Sequence, residues 1–471
     1  MSGSMSISEL TMIVGGKQSD AGSEVSFSGV STDSRDLQKG ELFIALQGPN
    51  FDGNKFVEIA AEKGAVAALV NRKQKAPINQ IIVDDTHRSL AVLAAAWRKN
   101  FNGPLVGITG SNGKTTVKEM VTAIFSMCGK VLATEGNLNN DIGVPLSVLK
   151  LQPGHEYAVI EMGANHPGEI KYTAEIATPD IAVITNAAAA HLAGFGDIEG
   201  VMKTKGEIIS ALSKDGIAIL NRDDVFYEEW KALAGDRKTI SFGFSEEAMV
   251  RAIPESVAFS VSGDHFNSQF SINWSNRSVD IQLKLAGNHN VKNCLAAAAA
   301  CIAAGCTLEQ VRAGLESMLP VKGRMCPSKG LNGATVIDDS YNANPASCSA
   351  ALDSLSAINE EKWVVLGAFA ELGERSDELH RKIGKEMKEK GVNRLFAVGE
   401  EARQVVEAFG ANGRWFEVQK TLIESLKKSL KKDVVVLVKG SRSQKMERVV
   451  EAISGESQLE QEEIEHATLA S

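Results

Sequence analysis

Apolar positions in this chain gather in short unbroken runs separated by helical stretches. Between residue 105 and about 318 the runs fall at 105–109, 157–161, 181–185 and 217–220. Runs without alternation suit strands buried on both faces, which predicts a parallel sheet wrapped by helices. Between about 240 and 285 the pattern becomes more polar and alternating, at 257–262 and 270–274. Strands with one wet face fit that pattern, so an inserted antiparallel piece is expected there.

The flanks repeat the theme on a smaller scale. Residues 1 to about 100 hold apolar runs at 41–46 and 67–70 and a helical stretch near 89–99, a small α/β unit. The turn-rich Asn100-Phe101-Asn102-Gly103-Pro104 marks a boundary, because Gly and Pro interrupt helix and strand alike. After 319–323 a third unit begins, with strands expected at 335–338, 363–366, 395–398 and 434–438, each followed by a helical stretch. That is a second doubly wound unit, and ligands in such sheets collect beyond the carboxyl ends of the strands. The division expected is therefore 1–102, 103–318 and 319–455, followed by 456–471, which carry five Glu and no Lys or Arg and read as a frayed acidic tail.

Length and composition narrow the possibilities. A chain of 471 residues suggests about three domains. Its 44% hydrophobic and 23% charged residues are ordinary for a globular protein. A net charge of −9, with no dense Lys/Arg stripe, argues against nucleic acid as a partner. There is no charged leader followed by an apolar run and no window of about 18 apolar residues. A cytoplasmic location without membrane insertion is expected. Six cysteines, at 128, 294, 301, 306, 326 and 348, form no CxxC pair and are expected to be buried, reduced thiols.

The stretch from Leu105 to Thr116 carries the strongest chemistry: an apolar run breaks into Gly110-Ser111-Asn112-Gly113 and then Lys114-Thr115-Thr116 opens a helix. Glycines let backbone N–H groups curl around an anion, the helix adds its positive end, Lys114 supplies a point charge, and Thr115 can hold Mg²⁺. Strict P-loop spacing would put the earlier glycine at Ile108, whereas the glycines stand at 107 and 110.

Other candidates follow predicted strands. Glu161 ends one of them, as a carboxylate for Mg²⁺ or as a helix-capping acid. His191 follows an alanine run, where a lone histidine is more often structural than a ligand. By its neighbours alone, Lys205 reads as a solvated helix start. Asn290 and Asn293, three apart, could share a helix face and read an adenine edge, or cap a helix. Asp338-Asp339-Ser340-Tyr341-Asn342-Ala343-Asn344-Pro345 ends a strand with a density of hydrogen-bonding groups that a solvated turn rarely needs.

Together these segments resemble the Mur ligase family over most of the chain. GITGSNGKTT at 107–116 is similar to the family's ATP loop, including its departure from strict spacing, and EMGANHPGEI at 161–170 to its magnesium segment. HLAGFGD at 191–197, KGEI at 205–208, GNHNVKN at 287–293, GRM at 323–325 and DDSYNANP at 338–345 fit as well. The DNPR segment expected of the member that adds diaminopimelate is absent. Two places depart from the pattern: Ala368-Phe369, where the family often has Asp and Met, and Asn54, where it has His.

The resemblance implies an α/β fold of three domains, with a central parallel-sheet P-loop-type ATPase domain and a C-terminal Rossmann-like domain. It implies an ATP-dependent amide ligase joining D-alanyl-D-alanine to UDP-MurNAc-tripeptide through an acyl phosphate, acting as a monomer in peptidoglycan precursor synthesis. ATP would meet Gly110, Ser111, Asn112, Gly113, Lys114, Thr115 and Thr116, with Asn290 and Asn293 by the adenine, Arg324 by phosphate and Asp339 by the ribose. Mg²⁺ would lie at Thr115, Glu161, His191 and Lys205, the lysine carbamoylated; Lys114, Lys205 and His191 would be the catalytic set. The other substrates would meet Ser31, Asp33, Ser34, Arg35, Asp52 and Asn54 in the first unit, Asn137 and Asn140 in the second, and Tyr341, Asn342 and Asn344 in the third. Because Arg324 and Asp339 lie beyond the second boundary, the third unit is expected to close over the nucleotide.

Overall fold

Every residue of strand Leu105–Thr109 is buried, as is every residue of Ile181–Ile184, and the two pair in parallel with Val106 opposite Ile181. The computed structural model describes residues 3–19, 25–188, 192–262 and 265–455. Its central sheet runs Val131–Ala133, Tyr157–Glu161, Leu105–Thr109, Ile181–Ile184, Ile217–Asn221 and Lys238–Gly243, all parallel. The sheet continues through Val250–Arg251 into antiparallel Ala258–Ser262, His265–Trp274 and Arg277–Leu283. This is the antiparallel piece that the alternation predicts; Arg277–Leu283 has too many outward polar residues to stand out in the sequence. The chain leaves Leu105–Thr109 toward Tyr157–Glu161 on one side and reaches Ile181–Ile184 on the other, so a crevice opens beyond this strand's carboxyl end.

The first sheet is ordered Lys17–Gln18, Asn79–Ile82, Ala67–Val70, Leu42–Ile44, Val30–Ser31, parallel except at Lys17–Gln18. The helix expected near 89–99 spans Thr86–Arg98, starting earlier because the Asp85 side chain accepts from the His87 and Arg88 N–H groups. Its apolar face holds Leu90, Leu93, Ala94 and Trp97, in one cluster with Leu105, Ile160, Ile208 and Trp230 of the next unit. Trp97 Nε1 donates to the Leu151 carbonyl at 2.9 Å. The Arg98 guanidinium donates to the carbonyls of Phe101, Ala177 and Thr178 and pairs with Asp180 at 3.0 Å. The turn at 100–104 thus separates two sheets, while one hydrophobic core runs beneath both.

The third sheet is ordered Cys326–Lys329, Thr335–Asp339, Val434–Lys439, Glu361–Gly367, Arg394–Val398, Gly413–Phe416. All are parallel except Cys326–Lys329, an antiparallel edge strand. That strand carries Pro327, which an edge tolerates and which hides it in the sequence. Gly413–Phe416, short and half-polar, is hidden likewise. No helix among the described residues is long and apolar enough to cross a membrane. The acidic tail lies outside the described residues.

Candidate active site

The loop after Leu105–Thr109 is shaped by two glycines. Gly110 has φ +145° and a Cβ there would stand 1.9 Å from Thr185 Oγ1; Gly113 has φ +82° and a Cβ would stand 2.4 Å from Asn293 Oδ1. Only glycine meets both demands. The loop is tied to the neighbouring strand's end: Ser111 N donates to the Asn186 carbonyl at 3.0 Å, Asn112 N to Asn186 Oδ1 at 3.1 Å, and Thr185 Oγ1 to the Asn112 carbonyl at 2.6 Å. Helix Lys114–Ser126 then starts on Gly113 with no side-chain cap, so its first N–H groups face the crevice without that partner. Lys114 Nζ folds back to the Gly110 carbonyl at 2.8 Å. Burial lowers the Lys114 pKa below that of an ordinary lysine, with Glu161 opposing the shift and Arg324 adding to it.

Glu161 closes strand Tyr157–Glu161 and is 2% exposed. Asn139 Nδ2 donates to its Oε1 at 2.8 Å, and its Oε2 is buried without a hydrogen-bond partner among the described residues. Glu161 does not cap a helix: the next one, Glu169–Ala177, starts at Gly168, where Glu207 Oε1 and Oε2 accept from Gly168 N and Lys171 N.

Lys205 sits in helix Ile198–Ser210, only 2% exposed, with its Nζ 5.3 Å from the centre of the Phe195 ring. It has no ion pair among the described residues, so the solvated placement suggested by its neighbours in sequence is overturned: the helix turns this lysine inward. Burial, reinforced by the charge on Lys114, brings its pKa down to about 7.

The third unit supplies the facing wall. Arg324 lies over the Tyr341 ring at 4.3 Å and brings Nη2 to 3.4 Å from Thr115 Oγ1. Asp338 is spent locally, accepting from Gly323 N, Ser340 N and Ser340 Oγ. Asp339 Oδ2 pairs with buried Lys439 at 2.6 Å, and Lys439 also donates to the Asn342 carbonyl at 3.1 Å. Asn344 caps helix Pro345–Ser356 through Oδ1 while its Nδ2 donates to Asn112 Oδ1 at 2.8 Å. The third unit therefore touches the loop directly.

These groups line one cavity of about 480 Å³: the whole loop Gly110–Thr116, Asn140, Glu161, Lys205, Asn290, Asn293, Arg324, Asp339, Tyr341, Asn342 and Asn344. Helix Asn288–Ala303 delivers the two asparagines, with Asn290 Nδ2 on the Ala286 carbonyl at 2.8 Å and Asn293 Nδ2 on Asn290 Oδ1 at 3.1 Å. Neither caps the helix, which starts on Gly287. His191 lies outside the described residues, and among those described no group of three His, Cys, Asp or Glu forms a metal cluster.

Ser31, Asp33, Ser34, Arg35, Asp52 and Asn54 do not line this cavity. Exposed Arg35 holds Asp33 at 2.6 Å and lowers its carboxyl to about 2. Asn54 is buried and donates to Asp52 Oδ1 at 2.8 Å, so the departure from His at this position serves the Asp52 turn. Ala368 and Phe369 are buried away from the cavity, with Phe369 N donating to His380 Nε2 at 3.1 Å. Asn137 is exposed, and Asn140 Oδ1 accepts from Gly143 N. Sequence reasoning missed Asn139, Asn186 and Lys439. Asn139 stands between the expected Asn137 and Asn140; Lys439 could be found only through sheet register, which sets it opposite Asp339.

Three family models match: the Mur ligase family catalytic domain at 26–99, the Mur ligase middle domain at 108–301 and the Mur ligase glutamate ligase domain at 323–442. The chain belongs to the Mur ligase family. A relative from Escherichia coli (strain K12), named UDP-N-acetylmuramoyl-tripeptide--D-alanyl-D-alanine ligase, is 41% identical over 96% of this chain and 98% of its own length. One of the same name from Bacillus subtilis (strain 168) is 34% identical over 90% of this chain and 92% of the relative. Among solved structures, MurF from Acinetobacter baumannii superimposes with a TM-score of 0.87 at 35% identity, covering 95% of this chain and 98% of that one. MurF from Thermotoga maritima in complex with ADP gives 0.80 at 30%, covering 90% and 96%.

Proposed function

We propose that this chain is an ATP-dependent ligase that joins D-alanyl-D-alanine to UDP-MurNAc-tripeptide, completing the pentapeptide precursor of peptidoglycan in the cytoplasm as a monomer. The observation that carries the chemistry is the cavity itself: one space holds the glycine-shaped loop, a buried carboxylate oxygen and a buried lysine that have no hydrogen-bond or ion-pair partner, respectively, among the described residues, and the third unit's arginine. The names of the relatives supply the substrates.

Amide formation from a carboxylate is uphill in water, so the acid is activated first. The terminal carboxylate of the tripeptide attacks the γ-phosphorus of ATP, ADP leaves, and an acyl phosphate forms. The dipeptide's amine then attacks the acyl carbon; the tetrahedral intermediate collapses to the amide, and phosphate and a proton depart. The loop N–H groups and Lys114 hold the phosphates and meet charge as it spreads over the phosphoryl oxygens. Arg324 adds positive charge from the opposite wall, Asn290 and Asn293 face the adenine, and Asp339 the ribose. Closure of the third unit on the loop excludes water from the acyl phosphate.

Mg²⁺ fits the residues present. A hard cation takes oxygen ligands, and the orphaned Glu161 Oε2 and the Thr115 hydroxyl offer them, with His191 and Lys205 assigned beside them. When bound, the cation would neutralise phosphoryl charge. Lys205 suits carbamoylation, since an amine with a pKa brought down to about 7 is substantially neutral near physiological pH. Its nitrogen adds to the carbon of CO₂ and loses a proton, which replaces a buried cation with a carboxylate-like anion. The first unit's Ser31, Asp33, Ser34, Arg35, Asp52 and Asn54 hold the nucleotide end of the tripeptide substrate, Asn137 and Asn140 its middle, and Tyr341, Asn342 and Asn344 the reacting end.

The test measures phosphate release from ATP with UDP-MurNAc-tripeptide, with and without D-alanyl-D-alanine, together with product mass. Release that requires both substrates and adds one dipeptide is expected. Release with neither requirement, or a preference for another acceptor, would overturn the assignment.

A further inference from the structure

Helices Lys114–Ser126 and Asn288–Ala303 both begin at the cavity and pack on one another. Their far ends carry three cysteines that the ligase chemistry does not use. Just past the first helix, Cys128 places Sγ 3.5 Å from Sγ of Cys306, which lies just past the second. Cys301 Sγ stands 4.0 Å from the Val121 carbonyl of the first helix. Backbone bonds hold both turns: Cys128 N donates to the Phe125 carbonyl at 2.8 Å and Cys306 N to the Cys301 carbonyl at 2.9 Å. The following helix, Leu308–Ser317, is pressed against the first at Gly314, where a Cβ would stand 2.4 Å from Ile124 Cα. The two thiols are thus presented to each other by elements that cannot easily drift apart.

We propose that Cys128 and Cys306 are a modification site, a thiol pair that a peroxide converts to a reversible disulfide joining the far ends of the two helices that form the nucleotide site. A disulfide needs sulfurs about 2.05 Å apart, so they must approach by about 1.5 Å.

The two sulfurs take different roles. The neighbouring Cys301 and Cys128 thiols hold Cys306 below the ordinary thiol value, while burial pushes Cys128 above it. Cys306 is the thiolate, and partly exposed Cys128 opens the way to solvent. The Cys306 thiolate attacks one peroxide oxygen, the O–O bond breaks, and a sulfenic acid forms while the departing hydroxide takes a proton to become water. The Cys128 sulfur, giving up its proton, attacks the Cys306 sulfur and expels hydroxide, which becomes a second water. Two thiols and one hydrogen peroxide thus give one disulfide and two waters. Burial pushes the thiols of Cys294 and Cys301 well up, that of Cys326 up to about 11 and that of Cys348 up to about 12, so the other cysteines stay protonated. In a reducing compartment such a link is transient, as sensing disulfides are.

The experiment treats the full chain with hydrogen peroxide, quenches free thiols, digests without reductant and maps cross-linked peptides. A Cys128–Cys306 link, cleaved by dithiothreitol and accompanied by a melting temperature several degrees higher, is expected. Cys128→Ser should lose both the link and the shift, and Cys294→Ser should keep both. A Cys301–Cys306 link instead, sulfinic acid at Cys306 without any link, or no reaction at either residue would overturn the proposal.

Discussion

A long cation seldom stays buried without a partner, because leaving water costs more than packing its stem returns. Among the described residues Lys205 does so beside Lys114, and the conflict is relieved if it sheds its proton and takes up CO₂. Lys205→Arg keeps a cation that cannot be deprotonated; turnover should fall by about 10²–10³-fold, the loss expected when an electrostatic group leaves a site. Full turnover in that variant would remove the carbamate from the mechanism. The same lysine carries a stability signature in CO₂-free buffer. Its pKa is about 7 in the folded chain against 10.5 for an ordinary lysine, so between those pH values the unfolded chain binds the extra proton. Stability therefore rises with pH across that window, and the penalty is full below pH 7. Urea midpoints of the wild type minus those of Lys205→Met should climb from pH 7 to 9; a flat difference would show that the amine is not perturbed.

The element on which the site turns is the loop between Leu105–Thr109 and Lys114–Ser126. Gly113→Ala brings a Cβ to 2.4 Å from Asn293 Oδ1 at a φ of +82° and should weaken binding of a non-hydrolysable ATP analogue at least tenfold, with strain of about 1–3 kcal/mol. Gly136→Ala, also at positive φ (+54°) but with open space around it, is the control and should leave analogue affinity unchanged. Equal losses in both would mean that strain alone, and not the Asn293 contact, shapes the loop. Such elements were legible in the sequence because their chemistry is local: glycine, lysine and threonine are contiguous, and the strands that carry them are unbroken apolar runs. The inserted antiparallel piece was legible from its alternation. What escaped depends on contacts across the chain. Lys439 meets Asp339 only through strand pairing, Asn139 rather than Asn137 turns toward Glu161, and the polar strand Arg277–Leu283 owes its place to its partner. Lys205 has no local mark of burial at all, and only the likeness to a family distinguished it from a surface lysine.

At the scale of the whole molecule, the three units are joined unequally. The third meets the loop through polar contacts such as Asn344 to Asn112 and Arg324 to Thr115, and shares only a small apolar patch with the second, at Phe266 and Ala286. The first shares an apolar cluster with the second, and its helix Thr86–Arg98 packs on Gly143–Leu149 and Glu169–Ala177. A fragment of residues 1–102 should therefore lack a cooperative thermal transition and bind a hydrophobic dye, whereas 1–318 should melt as one body; a sharp transition in the short fragment would show that its core closes unaided. The shared core also bears on how the chain is made. Helix Glu169–Ala177, which packs on Thr86–Arg98, leaves the ribosome about eighty residues after Trp97, a delay on the order of ten seconds at typical elongation rates. For that interval the amino-terminal unit has an unfilled apolar face, which gives holdase chaperones a defined window of engagement before the nucleotide site exists.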